Sequence, residues 1–437
     1  MGFDVLTPAN ADRLRAVING DPEFRIASRL VSVNLCLGIG LDWNNRQILV
    51  QIFDGQVVRL EHVVDFTHVA QDVAVNGTEE FWKQFLSPVP PHPYQSIFAA
   101  MGTGQASIAG NMERYMACYW PIARIVDLMR TAQNDLPESA NPVAAHAQGY
   151  KEPQLGHYVY VEVEGVRYRV YYEESGTGIP LVCQHTVGTD GQQFRHLLTD
   201  QGITDRFRVI AVDLPYHGKS QPPAGVKWWA EDYRLREEWL IQFHVAFNRA
   251  IGLARAAYLG SSMGGNLALG LALKAPELYQ ATIGVGAGLG RPNPRYSVAY
   301  TRHPFVNDRF SAIMNQALVA PTTSDANKWE VAWAYQQGAH GICGGDSLYF
   351  FSHDVRETAQ LIDTKRCAVY VMNGEYDIAN GIADGEAVHA KNAGIQFIPM
   401  PGLGHFAMTE DYSAFRKHLL PILGAIEARA TQGGRGI

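Results

Sequence analysis

Nowhere in these 437 residues is there an apolar run of the ~18 positions that a bilayer-spanning helix needs, so no stable membrane insertion is expected. The opening "MGFDVLTPAN" has neither a basic stretch nor an apolar core, and Leu6 stands where a myristoylation signal wants Ser or Thr. No secretory or lipid-anchor signal is read there. Cysteine is scarce: five residues (Cys36, Cys118, Cys183, Cys343, Cys367), scattered, odd in number and never spaced as CxxC. That pattern excludes a zinc knuckle and suits a reducing compartment, from which a soluble cytoplasmic protein is expected. Charges of one sign form no run, and a net charge of −7 leaves no basic footprint for nucleic acid. No HExxH, no clustered metal-ligand spacing and no phosphate-cradling loop occurs, so the expectation is no metal and no cofactor. "GTGQASIAG" contains a G-x-G, but no strand leads into it, which argues against nucleotide binding.

What is present describes a folded protein. Hydrophobic residues make up 47% and charged residues 18%, and the length exceeds what one hydrophobic core usually serves. Two domains are therefore expected. The composition shifts in "TAQNDLPESANPVAAHAQGYKEPQLG", which reads as a linker over residues 131–156. After it, "HYVYVEVEGVRYRVYYEE" predicts a hairpin turning at Glu164-Gly165. Short apolar runs follow at "IPLVCQH", "FRVIAVDLP", "ARAAYLG", "ATIGVGAG", "KRCAVYVMNGEYD" and "IQFIPMPGLGH", most of them separated by helical segments. This alternation predicts an α/β fold: a doubly wound, mostly parallel sheet over residues 157–437. Between about 291 and 364 the segments turn helical and aromatic, and an inserted cap is expected there.

"LGSSMGGN" carries the chemistry. Gly260-Ser261-Ser262-Met263-Gly264 fits G-x-S-x-G, a strand-to-helix turn so tight that its flanks must be small. It lifts Ser262 to the positive end of a helix, with Ser261 a small spacer. Any Gly/Ser-rich turn could match the pattern, so its partners decide. A serine hydroxyl needs a base, and the base an orienting acid. Asp377 follows a late apolar run, with Glu375 the alternative acid, and His405, alone among fifteen histidines, sits on a Gly-flanked loop after the last run. Met263, just after the serine, should supply one backbone donor to an oxyanion, and the loop after the first buried strand the other.

With these residues the chain resembles the α/β-hydrolase family over about residues 156–428. The family's His-Gly-x-Gly loop appears as His185-Thr186-Val187-Gly188, with Thr186 in place of the first glycine; by position Val187 is the second oxyanion donor. "DLPYHGKS" resembles Asp-x-Pro-Gly-His-Gly-x-Ser, with Tyr216 for a glycine, and implies structural roles for Asp213 and His217; His185 is also read as structural. Relatives that act on epoxides or haloalkanes carry aspartate at the nucleophile, against which Ser262 argues. Aromatic residues of the cap interval (Trp329, Trp333, Tyr335, Tyr349, Phe350, Phe351) and Trp228 and Trp229 are read mainly as packing, with an apolar acyl or alcohol pocket as the alternative.

Before the linker, "VSVNLCLGIGLDWNNRQILVQIFDGQVV" reads as strands with a turn at Asn44-Asn45, "GTEEFWKQFLSP" as a helix capped by Thr78, and "WPIARIVDLMR" as a further helix. Asp72 to Val75, Phe81 to Leu86 and Gly104 to Asn111 resemble landmarks of a sterol-carrier-protein-2-like (SCP2-like) α+β domain over about residues 11–130. The resemblance implies a lipid-binding fold; residues alone read equally as a structural module or one through which a homo-oligomer forms. The expectation taken forward is a serine hydrolase of residues 157–437 behind an SCP2-like domain of residues 1–130. It would cleave a carboxylic ester of a small apolar or aromatic substrate through an acyl-enzyme. A lactone, amide or carbon–carbon bond hydrolase would use the same residues, and a non-enzymatic lipid-binding carrier is the competing class.

Overall fold

The computed structural model describes residues 2–39, 46–63, 71–137, 146–290, 302–303 and 308–433. They form two compact units. Of the described residues, one holds 2–137 together with Ile313–Thr322, and the other 146–303, 308–312 and those from Thr323 onward.

The N-terminal unit is built on five strands, β1 (Ser32–Ile39), β2 (Arg46–Phe53), β3 (Gln56–Val63), β4 (Val73–Gly77) and β5 (Ala106–Gly110), in the order β3-β2-β1-β4-β5. Only β1 and β4 run parallel. The β2–β3 turn falls at Asp54-Gly55, both with positive φ, inside a stretch whose sequence reads as continuous strand. The expected turn at Asn44-Asn45 lies outside the described residues. Helix Glu79–Phe85 starts where Thr78 accepts from Phe81 N–H at 2.9 Å, and it buries Phe81, Trp82 and Phe85. Each contributes roughly 1.5–3 kcal/mol of transfer free energy when removed from water.

Helix Tyr119–Asn134 runs past residue 131, where the linker was expected to begin, and ends at Asp135 in a left-handed cap. Polar composition marks the end of a buried face, and this helix continues beyond its last buried turn. Ile313–Thr322 is a second departure. It falls within the expected cap yet groups with the N-terminal unit, where its turn Asn315–Leu318 packs on helix Ile97–Gly102 and Val319 and Ala320 are buried. A composition shift follows the order of the chain and is blind to a segment that folds back.

The second unit carries an eight-stranded mixed sheet: β6 (Leu155–Val163), β7 (Val166–Ser175), β8 (Ile179–Gln184), β9 (Phe207–Val212), β10 (Ala256–Ser261), β11 (Tyr279–Val285), β12 (Ala368–Gly374) and β13 (Gln396–Met400). In space they run β13-β12-β11-β10-β8-β9-β7-β6, parallel from β13 to β9 and antiparallel beyond. The period of two sorts each strand between layers. On β10, Tyr258 packs into one buried cluster while Ala257 and Leu259 enter the other. Both faces are covered by helices, so the parallel strands read as unbroken apolar runs. Between β11 and β12 the described residues are helical, and Ile342–Ser352 lies over the loops that leave β8 and β9.

Candidate active site

β10 is buried throughout and is followed directly by Ser262, whose φ of 53° and ψ of −104° are unusual for any residue but glycine. Such a conformation costs ~1–3 kcal/mol and persists only where neighbours impose it. Here they do. Ser262 N–H donates to the Val285 carbonyl at 2.7 Å, Asn266 N–H returns to the Ser262 carbonyl at 2.8 Å, and the Tyr258 hydroxyl donates to the Gly264 carbonyl at 2.9 Å. The flanks admit no side chain: a β-carbon on Gly260 would run into the Gly264 carbonyl, and one on Gly264 would come within 2.7 Å of the Gln184 carbonyl. Ser262 therefore stands at the N-cap of helix Met263–Lys274, 3% exposed.

His405 and Asp377 meet beside it. His405 Nδ1–H donates to Asp377 Oδ1 at 2.8 Å, the two residues being 4% and 3% exposed. The same oxygen accepts from Ala379 and Asn380 N–H at 2.8 and 3.1 Å, which fixes the carboxylate as it leaves β12. Glu375, the alternative acid, is exposed and accepts from Gly402 N–H instead. The end of β11 ties the pair to the serine. Val285 holds Ser262 N–H, and a β-carbon placed on the next residue, Gly286, would sit 3.0 Å from Asp377 Oδ2 and 3.6 Å from His405 Nδ1.

The loop after β8 is pinned on both sides of Val187. Thr186 N–H donates to Gln193 Oε1 at 2.9 Å and Gly188 N–H to Asp346 Oδ2 at 2.8 Å. His185 Nδ1–H donates to the Thr186 carbonyl at 2.8 Å, which turns the N–H of that same peptide, Val187's, the opposite way. Among the described residues neither Val187 N–H nor Met263 N–H meets an acceptor. Thr186 has a negative φ, so a β-branched residue fits where the family pattern has glycine. Tyr216, the other departure, does take a left-handed φ of 77°.

Two buried histidines differ in charge for reasons visible in their partners. His185 Nε2 accepts from Leu214 N–H at 3.1 Å while Nδ1 donates, so the ring is neutral; burial, then the nearby His217, hold it well below its usual range. His217 faces oxygen at both nitrogens, the Pro215 carbonyl at 3.0 Å and Asp346 Oδ2 at 2.8 Å, so it must donate twice. Burial pulls its pKa down, but the Asp346 carboxylate outweighs that and holds it raised. Asp213 accepts from Gly191 and Lys219 N–H, each at 2.8 Å, which knots the loop after β9. Burial, then the neighbouring Asp190, push the Asp213 carboxyl up to about 7, and burial lifts Asp190 to about 6.

Three residues of this edge escape a reading by motif. Glu410 accepts from Gly404 and Phe406 N–H at 2.8 and 2.7 Å and so brackets His405. Gln193 joins the loop after β8 to the serine turn, its Nε2 donating to Ser261 Oγ at 3.1 Å; Ser261 is thus a brace as well as a spacer. Asp346 lies in "ICGGDSLYFFS", where one charge inside an apolar helix is the signal. The aromatic residues divide. Tyr349 is buried packing and Trp229 and Trp333 are exposed, while Tyr335 meets Phe406 edge-on beside His405. Trp228 lines a separate cavity of about 220 Å³ with Tyr168, Tyr216, Tyr233 and Trp239.

Against known proteins, residues 179–411 match the family described as the alpha/beta hydrolase fold. The chain is 29% identical to a 2-hydroxy-6-oxononadienedioate/2-hydroxy-6-oxononatrienedioate hydrolase of Burkholderia vietnamiensis, over 33% of this chain and 49% of that protein. It is 35% identical to a magnesium-chelatase 30 kDa subunit of Rhodobacter capsulatus, over 26% of this chain and 36% of the relative. The chain thus spans half the length or less of these curated relatives. Among solved structures, an esterase of Thermogutta terrifontis superposes with a TM-score of 0.53 at 18% identity, covering 62% of this chain and 99% of that one, which speaks for the fold.

Proposed function

The chain belongs to the alpha/beta-hydrolase fold family, and from that membership we propose that it is a serine hydrolase that cleaves a carboxylic ester of a small apolar or aromatic substrate. One observation carries the reading: a strained serine, an imidazole–carboxylate pair and two unclaimed N–H groups converge at the C-terminal edge of one sheet. Ser262 Oγ attacks the carbonyl carbon while His405 Nε2 takes its proton. Asp377, bonded at Nδ1, stabilises the imidazolium, and the N–H groups of Met263 and Val187 receive the oxyanion. Collapse expels the alcohol, which takes the proton from His405; water, activated by the same histidine, then attacks the acyl-enzyme carbonyl and releases the acid.

Serine at position 262 favours acyl transfer over the aspartate-dependent chemistry of epoxide hydrolysis. The Burkholderia relative, a hydrolase named for an oxo-acid substrate, supports a carbonyl centre and keeps lactone and carbon–carbon bond cleavage as alternatives within the same reading. The N-terminal unit we read as an SCP2-like module, the stretch between helix Tyr119–Asn134 and β6 as a linker, and helices Asp325–Ala334 and Ile342–Ser352 as a cap. The interior packing of Phe81, Trp82 and Phe85 favours a structural or oligomerising role for the module over a lipid carrier. No helix among the described residues is long and apolar enough to cross a membrane; a cytoplasmic location is our reading of the scattered cysteines.

The test is hydrolysis of p-nitrophenyl esters of increasing acyl length by wild type and Ser262→Ala. Turnover by wild type alone, with an optimum at short or aromatic acyl groups, is expected. Equal turnover by both proteins, or none by wild type, sinks the esterase reading.

A further inference from the structure

We propose that Asp346 is a positioning residue: from helix Ile342–Ser352 it fixes the Val187 N–H in the direction of the oxyanion. The inference rests on the serine-hydrolase reading and adds to it a link between the inserted helices and the reacting centre.

Asp346 is 0% exposed, and its Oδ2 accepts two hydrogen bonds of 2.8 Å, from Gly188 N–H and from His217 Nε2–H. The first partner lies 158 residues away and directly follows Val187. Gly188 has a φ of 67°, and glycine there can rotate with little penalty, so the peptide joining it to Val187 needs an external hold. Asp346 provides it on one side of Val187; on the other, His185 holds the carbonyl of the Thr186–Val187 peptide and Gln193 the N–H of the peptide before it. Helix and loop are in close approach: a β-carbon on Gly188 would lie 3.0 Å from Cys343 Cβ. The neighbouring chain is tied to the loop after β9 as well, since Ala339 N–H donates to the Tyr216 carbonyl at 3.0 Å.

A carboxylate is an unexpected choice near a site where negative charge develops on substrate oxygen. It binds an N–H about twice as strongly as a neutral acceptor does, yet its field opposes the oxyanion. His217 resolves the conflict. Held as a cation by two oxygen acceptors, it cancels the charge and leaves the strong acceptor in place. This assigns a purpose to the histidine of "DLPYHGKS" beyond turning the chain.

The experiment compares wild type, D346A, D346N, H217Q and the double variant D346N/H217Q. Functional serines are counted by titration with diethyl p-nitrophenyl phosphate. Hydrolysis of p-nitrophenyl butyrate then gives kcat and KM per titrated site, and phenylboronic acid reports tetrahedral-adduct affinity. For D346A, kcat per site should fall ~10–100-fold, short of the full loss of an oxyanion donor, with KM within ~3-fold. Boronate affinity should fall by the same factor as kcat/KM. D346N keeps an acceptor oxygen and should stay within ~10-fold of wild type. H217Q, which leaves the anion uncompensated, should be slower than the double variant.

An unchanged kcat per site in D346A, or a loss carried equally by KM, overturns the proposal. If D346A does not fold, the histidine pair decides: independent, multiplying effects of H217Q and D346N contradict the charge argument. A wild type that is neither titrated nor active fails the hydrolase reading itself, and the inference with it.

Discussion

The two units of this chain treat buried polar groups in opposite ways. In the N-terminal unit the interior is mostly apolar, and polar side chains within it bond to the backbone at Trp82, whose Nε1–H donates to the Gly38 carbonyl at 2.8 Å, and at Arg130, whose Nε–H donates to the Phe85 carbonyl at 2.8 Å. In the second unit, His185, Asp190, Asp213, His217, Ser262, Asp346, Asp377, His405 and Glu410 are all buried around the C-terminal edge of the sheet. Buried charges are costly unless paired and hydrogen-bonded. A fold that needed only stability would spread or remove them. Their concentration at one edge, with a strained serine among them, is what a reaction centre requires and a packed core does not.

The sharpest way to break this contrast is at the acid. Asp377→Asn should leave the fold in place and reduce kcat by ~10⁴-fold, because the amide misorients the imidazole that the carboxylate holds. Ester hydrolysis at matched thermal stability checks it, and a change under ten-fold would return Asp377 to a structural role. Next comes the mirror experiment. Phe81→Ala, deep in the N-terminal unit, should cost ~3–5 kcal/mol of stability there and leave kcat per titrated serine in the second unit unchanged. Denaturant melts followed by titration separate the two quantities.

A pH series sharpens the comparison further. Asp190 and Asp213 are raised, so the native state holds protons that the unfolded chain has released; stability is full at low pH and falls as pH rises through about 6 and 7. Asp190→Asn removes one charge of the pair and should flatten the fall in Tm between about pH 4 and about pH 7. A Tm profile parallel to wild type would show that the pair does not share its burden. The smallest effect is expected at Thr186→Gly. Gln193 and His185 already direct the peptides on either side of Thr186, so placing glycine there should alter kcat by less than ~3-fold.

How much of this was readable in advance depends on the range of the interaction. The serine turn is dictated by local sterics, and Gly260, Ser262 and Gly264 announce it in five residues. The six parallel strands of the second unit show as short apolar runs because most of them are covered on both faces, while β6 and β7 show as alternation. Asp346 was invisible: its meaning lies in Gly188 and His217, 158 and 129 residues away, and nothing in "CGGDS" points to either. Glu410 carries no local mark either, since its role rests on the N–H groups of Gly404 and Phe406. The turn at Asp54-Gly55 hid inside a strand-like run, and Ile313–Thr322 folded back to a unit the chain had already left. Local geometry is written in neighbouring letters; clasps between distant loops are not.

The most direct test of the whole account is intact-mass and peptide-level mapping of the protein after reaction with a fluorophosphonate, beside Ser262→Ala. A single adduct per chain, located on Ser262 and absent from the variant, is the predicted result. An unreactive wild type, or an adduct on any other residue, would contradict the claim that this edge of the sheet is an active site.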